Sequence, residues 1–221
     1  MGLLLIAVSQ GQEKLKLGVV AGANYNNFIG PDAYDSQFGF TAGVSFEYPF
    51  HKKWSFLSGL VFERKIGTNT FENIFYDNYN PALPIELQPY RSVVRHGWVT
   101  FDYITMPLAF RLKVDKKGYW FADMGTYFSY LHRAEFEVSE QAGQGYVVLG
   151  EHTNRIDGGL LIGIGAIFRL VNSELIVSVR DQLGLVNNVK SQYYLGENSY
   201  SPESMQINTI TLLVGYSFDL K

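Results

Sequence analysis

The sequence predicts an all-β protein: an eight-stranded antiparallel up-and-down transmembrane β-barrel with short periplasmic turns and long extracellular loops. Three features point there. Eight segments alternate large apolar residues with small or polar ones at a period of two, the signature of a strand with two unlike faces. The links between them are alternately short and long, as in a barrel with turns at one rim and loops at the other. The non-apolar face is rich in glycine and poor in charge, which suits a packed lumen better than a surface in water.

The first segment, Leu15 to Asn26, sets Leu15, Leu17, Val19, Ala21, Ala23 and Tyr25 against Lys16, Gly18, Val20, Gly22, Asn24 and Asn26. The second, Gln37 to Tyr48, is the clearest: Phe38, Phe40, Ala42, Val44, Phe46 and Tyr48 oppose Gln37, Gly39, Thr41, Gly43, Ser45 and Glu47. A short link, Pro49 to Lys53, leads into Trp54 to Lys65, and the longest link, Ile66 to Gly97, leads into Trp98 to Lys113. The remaining segments are Tyr119 to His132, Gly158 to Leu170, Glu174 to Leu185 and Ile207 to Phe218.

Two hairpins have a register that follows from their turns. With Asp115 opposite Tyr119, Lys116-Lys117-Gly118 makes a three-residue loop with glycine in the left-handed position, and Arg111 falls opposite Asp123. With Val171 opposite Glu174 around Asn172-Ser173, Arg180 falls opposite Gly165 and Gln182 opposite Gly163.

The opening residues, MGLLLIAVSQGQ, carry an apolar run from Leu3 to Val8 and a small-x-small pattern at Ala7-Val8-Ser9. Residues 1–9 read as the remnant of a signal peptide, and residues 10–221 as a single outer-membrane barrel domain. The other reading, an apolar first strand, is broken by the polar stretch Gln10 to Lys14. No other apolar run approaches the roughly 18 to 20 residues of a membrane helix. A net charge of −3 gives no excess of cations for nucleic acid, and the absence of cysteine removes disulfides, thiolate catalysis and thiolate metal sites.

A soluble lipocalin-like barrel binding a small lipophile would share the period of two and invert the faces. Its outer face would need many Lys and Glu residues. The face in question instead holds Gly18, Gly22, Gly39, Gly43, Gly59, Gly125, Gly159, Gly163, Gly165, Gly184 and Gly215. It also holds the charges Lys16, Glu47, Glu63, Arg111, Asp123, Arg169 and Arg180. Leu57, Val61, Phe121, Leu161 and Ile176 share that face, so the lumen is packed rather than wet. On the apolar face Tyr48, Trp54, Trp120, Phe168, Tyr216 and Phe218 lie near the short-turn rim, where an interfacial girdle belongs. Tyr25, Phe38, Phe62 and Tyr130 suit the opposite girdle. Asp181 falls on the apolar face of the seventh strand, which places it near the outer interface or at a bulge.

The segments WSFLSGLVFERKIG (Trp54 to Gly67), DYITMPLAFRLKV (Asp102 to Val114), GYWFADMGTYFSYL (Gly118 to Leu131), VSVRDQLGLVNN (Val177 to Asn188) and LLVGYSFDL (Leu212 to Leu220) resemble the PorT-like family of outer-membrane β-barrel proteins. Tyr103, Pro107 and Leu108 match the pattern that opens that family's fourth strand, and Arg180, Gly184 and Leu185 match the one that marks its seventh. The resemblance implies an eight-stranded barrel in the outer membrane of a Gram-negative-type bacterium, with both termini in the periplasm and membrane lipid around it. The family's founding members are linked to a protein-secretion machine, a role not carried over to this chain.

No catalytic, cofactor-binding or metal-binding residue is assigned. Gly163-Ile164-Gly165 is not a phosphate loop, because strand alternation continues through Phe168 with no helix start. The four histidines, His51, His96, His132 and His152, are scattered. An interfacial lipid hydrolase would use Ser129, His132 and Glu135, but Ser129 and His132 fall on opposite faces of one strand unless a bulge intervenes. Arg111, Asp123, Arg180, Glu47 and Arg169 are the candidates for a lumen salt-bridge network, with an ion or proton pathway as the alternative. The loops are the expected functional surface, toward envelope proteins or an extracellular ligand. Asn73 to Arg91 and Ser191 to Met205 are rich in Tyr, Phe and Pro, a composition that serves binding or the packing of the loops on themselves.

Overall fold

The computed structural model describes residues 15–30, 34–76, 90–115, 119–140, 143–148, 153–188, 193–195, 198–200 and 204–220. The proposed signal remnant, the Lys116-Lys117-Gly118 turn, His152, most of the aromatic loop Asn73 to Arg91 and parts of the loop Ser191 to Met205 lie outside them.

Eight long strands form the wall: β1 Lys16–Ile29, β2 Asp35–His51, β3 Trp54–Tyr76, β4 Tyr90–Lys113, β5 Trp120–Glu140, β6 Ile156–Arg169, β7 Ser173–Gly184 and β8 Gln206–Asp219. Each pairs antiparallel with its sequence neighbours, and β1 pairs with β8 from Lys16↔Asp219 to Ile29↔Gln206, so the sheet closes on itself. Closure removes the free edges that a flat sheet of this length would expose. Beyond the wall, Gly143–Val148 adds to the far end of β5, and Tyr193–Leu195 pairs with Asn198–Tyr200.

Alternation decides which way each residue points, and it holds around the ring. Val19, Leu60, Phe110, Met124 and Ile164 stand outward, from 53% to 68% exposed, while Leu57, Val61, Phe121 and Leu161 stand inward and are buried. An outward surface of this kind on nearly every strand is far larger than the apolar patches water-soluble monomers expose, so it faces lipid. That overturns the soluble-barrel alternative, which needs the apolar face inside. The inward positions of β1, β2 and β3 are those expected, including Lys16, Glu47 and Glu63.

Three features differ from the sequence expectation. First, β3 and β4 meet as far out as Tyr76↔Tyr90, so much of the segment Ile66 to Gly97 is strand rather than loop. Past the bilayer neither face must be apolar, and the periodic signal that marks a membrane strand disappears. Second, β6 and β7 pair Arg169↔Glu174, which puts Arg180 opposite Gly163 and Gln182 opposite Leu161, two residues from the register inferred from the turn. The turn runs from Leu170 to Ser173, closed by the Leu170 N–H donating to the Ser173 carbonyl at 2.8 Å. A slip of two keeps every side chain on its face, so hydrophobic patterning cannot detect it. Third, the partner along β4 jumps from Arg133 to Leu131 between Asp102 and Tyr103, a β-bulge on β5 that leaves His132 and Arg133 both exposed. By contrast, Asp181 sits in regular register between Ile162 and Ile210, with no bulge, in the hydrogen-bonded row that continues through Ile210 to Tyr25 and Phe38.

Candidate functional site

The lumen is filled in layers. At the extracellular end Phe28, Val99, Phe101, Tyr103, Leu131, Ala134, Met205 and Ile207 form one buried cluster, with Tyr34 and Phe136 packed against it. The ring of Phe28 stands edge-on to Tyr34 and lies 6.0 Å from Phe101, the spacing of favourable aromatic pairs. This cluster fills the extracellular end of the lumen.

Below it lies a polar layer that the sequence reading did not single out. Lys65 is fully buried, its Nζ 3.6 Å from Asp157 Oδ2 and 4.0 Å from Glu63 Oε2, over the rings of Tyr103 at 4.9 Å and Tyr127 at 5.6 Å. Glu63 accepts hydrogen bonds from Thr105 Oγ1 at 2.9 Å and Gln182 Nε2 at 3.1 Å. A buried ammonium needs this company, because desolvation without counter-charge costs several kcal/mol. The available signal was parity: Lys65 continues the inward series Leu57, Val61, Glu63.

At the periplasmic end the predicted ion pairs form in part. Arg111 makes a bidentate contact with Asp123, Nε to Oδ1 at 2.8 Å and Nη2 to Oδ2 at 2.9 Å, and its Nη1 donates to Glu47 Oε2 at 2.9 Å. All three are buried, and the guanidinium lies 3.8 Å from the ring centroid of Phe121. β4 and β5 are paired and set Arg111 directly opposite Asp123, as the turn arithmetic required, whereas Glu47 reaches the guanidinium from β2, beyond β3. Lys16 Nζ pairs with Glu174 Oε2 at 2.6 Å.

The other two candidates do not join this group. Arg180 flanks Gly163 across from Asp123, but both Asp123 oxygens are taken by Arg111, and the buried Arg180 Nε has no hydrogen-bond partner among the described residues. It borders a cavity of about 30 Å³, shared with Lys16, Glu47, Arg111 and Ser217, that has room for about one water. Arg169 is at the rim, its side chain 49% exposed and its Nε 4.0 Å from Glu174 Oε1, so it belongs to the surface rather than the lumen.

The hydrolase constellation is not assembled. Ser129 Oγ is buried and lies 2.7 Å from Thr105 Oγ1, whereas His132 is exposed on the other face, and the bulge that does occur leaves it there. Glu135 is engaged by Arg133 at 2.5 Å. Among the described residues, no group of three or more His, Asp or Glu could hold a metal ion.

Among the described residues the lumen is filled by an apolar cluster and by buried ion pairs, an interior that disfavours a continuous water path. A single barrel in a planar bilayer is therefore expected to show no stable conducting level; a steady open step would mean that the cluster around Phe101 is displaced in the membrane.

An outward apolar wall, a closed ring of eight strands and a filled interior together define an integral outer-membrane β-barrel protein. The chain belongs to the family described as outer membrane protein beta-barrel domain, whose model matches residues 8–190. No curated protein matches it. Among solved structures it is similar to Neisserial surface protein A, with 12% identity, 92% of this chain and 97% of that chain covered and a TM-score of 0.44. It is also similar to Ail, the attachment invasion locus protein of Yersinia pestis, with 13% identity, 93% and 99% covered and a TM-score of 0.39.

Proposed function

We propose that this protein is a non-enzymatic, PorT-like outer-membrane barrel that uses its extracellular strands and loops as a binding platform, for an envelope protein or an extracellular ligand. The observation that carries the reading is the height of one side of the wall. β3, β4 and β5 run for 23, 24 and 21 residues, where about 9–11 cross a bilayer. The surplus stands as a sheet above the membrane, widened by Gly143–Val148 on β5. Extended backbone beyond the bilayer adds nothing to membrane anchoring, so its use lies in what it presents.

The filled lumen supports the same reading, since a barrel packed with side chains has its free surface at its ends. The PorT-like motif residues Tyr103 and Arg180 both point into the lumen layers, which fits an architectural role for those motifs.

The experiment is photo-crosslinking in native envelopes, with the reactive residue placed at Asn69 or Thr70 on the raised part of β3. A discrete adduct there, absent when the probe replaces lipid-facing Met124, is expected. Equal labelling at both places, or none at either, overturns the platform reading.

A further inference from the structure

The outer wall carries a defined depression at the short-turn rim. Trp120 of β5 and Ala166 of β6 are directly paired, and Ala166 is the small residue between Ile164 and Phe168 on its outward face. Trp120, Ile164 and Phe168 rise around it, from 53% to 68% exposed. The result is a groove of about 440 Å³ lined by Tyr119, Trp120, Ala166, Ile167, Phe168 and Arg169.

At the rim end of the groove stands a cation with donors to spare. Arg169 makes no hydrogen bond among the described residues, and its Nε is 4.0 Å from Glu174 Oε1, beyond hydrogen-bonding reach. Glu174 is held more closely by Lys16, at 2.6 Å through its other oxygen. The Arg169 guanidinium lies 5.7 Å from the Tyr119 ring centroid, which orients it along the rim without consuming its N–H groups.

We propose that this groove is a site for one glycerophospholipid of the periplasmic leaflet, with the phosphate diester on Arg169 and an acyl chain lying across Ala166 between Trp120 and Phe168. The occupant follows from position. Outward Trp120, Ala166 and Phe168 open the groove onto the lipid-facing wall while Tyr119, Ile167 and Arg169 carry it over the short-turn rim, where the aromatic girdle meets headgroups, and its cation is opposite in charge to the phosphodiester that every glycerophospholipid carries at that depth. Planar, multiply donating guanidinium suits a phosphate better than an ammonium would. The site also explains why Ala166 is small where its neighbours on the outward face are large.

The test is native mass spectrometry of the full chain released from micelles doped with dioleoyl phosphatidylglycerol, and separately with dioleoyl phosphatidylethanolamine. The wild-type barrel is expected to retain one lipid from either mixture, because the phosphate is common to both. Arg169→Gln lowers that single-lipid occupancy about fivefold, the equivalent of one basic side chain near a lipid surface. Ala166→Leu, which fills the groove and leaves the charge, lowers it as well, while Arg155→Gln at the opposite rim leaves it unchanged. Faster gel migration before boiling establishes that each variant is folded, and Ala166→Val serves if the leucine variant is not. Wild-type occupancy in either the Arg169 or the Ala166 variant, or an equal loss in the Arg155 variant, overturns the site.

Discussion

Replacing Arg111 with alanine is expected to lower the unfolding free energy of the barrel by about 3–5 kcal/mol, the cost of leaving a buried charge without its partner. Both carboxylates that Arg111 serves are buried, Asp123 through two hydrogen bonds and Glu47 through one. Without the guanidinium they face each other across a gap that also loses its contact with the Phe121 ring. Arg180, close by and with an Nε that has no hydrogen-bond partner among the described residues, is placed to compensate in part, which sets the lower end of the range. Urea titration in lipid vesicles measures the change. The triple variant Arg111→Met, Glu47→Gln, Asp123→Asn should recover most of the loss, because removing all three charges removes the penalty along with the attraction. A loss below about 1 kcal/mol for Arg111→Ala would mean that water reaches the trio freely, as at exposed ion pairs.

What was legible in the sequence follows from which physical constraint acted on each residue. The bilayer imposes apolar residues on one face of every crossing, so Val19, Val44, Leu60, Met124 and Ile164 revealed the strands and their orientation. The link between β4 and β5 is too short to leave much freedom, so Arg111 and Asp123 could be paired by counting. The β6–β7 turn leaves more, and the two-residue slip to Arg180↔Gly163 changes no side chain's face. The raised parts of β3 and β4 lie outside the bilayer and carry no alternation to read. Lys65 was hidden for a different reason: a lysine near the end of a strand looks like an exposed rim residue, and only the arrival of Asp157 from β6 and the two tyrosines makes it a buried one. The bulge at His132 depends on an extra residue between two registers that each look regular by themselves. Arg169 was misplaced because parity says which face a residue starts from, and at a rim a long side chain is free to leave it.

The glycines of GGLLIGIGAIFRL provide the second large effect, and they are not equivalent. Gly159 pairs with Gly184 on one side and Tyr127 on the other. A Cβ at Gly159 would run into the backbone carbonyl oxygen of Leu183, with the carbonyl carbon at 2.8 Å and Tyr127 Cε1 at 3.1 Å. Backbone cannot step aside without opening the β6–β7 ladder, so Gly159→Ala is expected to destabilise the barrel by about 1–3 kcal/mol or more. At Gly163 the nearest atoms are the Val179 carbonyl oxygen at 3.2 Å, Asp123 Cβ at 3.6 Å and Arg180 Cα at 3.7 Å. There a methyl group needs a shift of a few tenths of an ångström, and it gains from restricting the unfolded chain, an effect of about 0.4–1 kcal/mol in the opposite direction. Gly163→Ala is therefore expected to fold with near wild-type stability while Gly159→Ala refolds poorly in vesicles, read side by side from urea midpoints and heat-modifiable migration. Equal effects would show that neither contact limits the wall. The reverse order would place the close approach of β6 and β7 beside Arg180 rather than beside Tyr127.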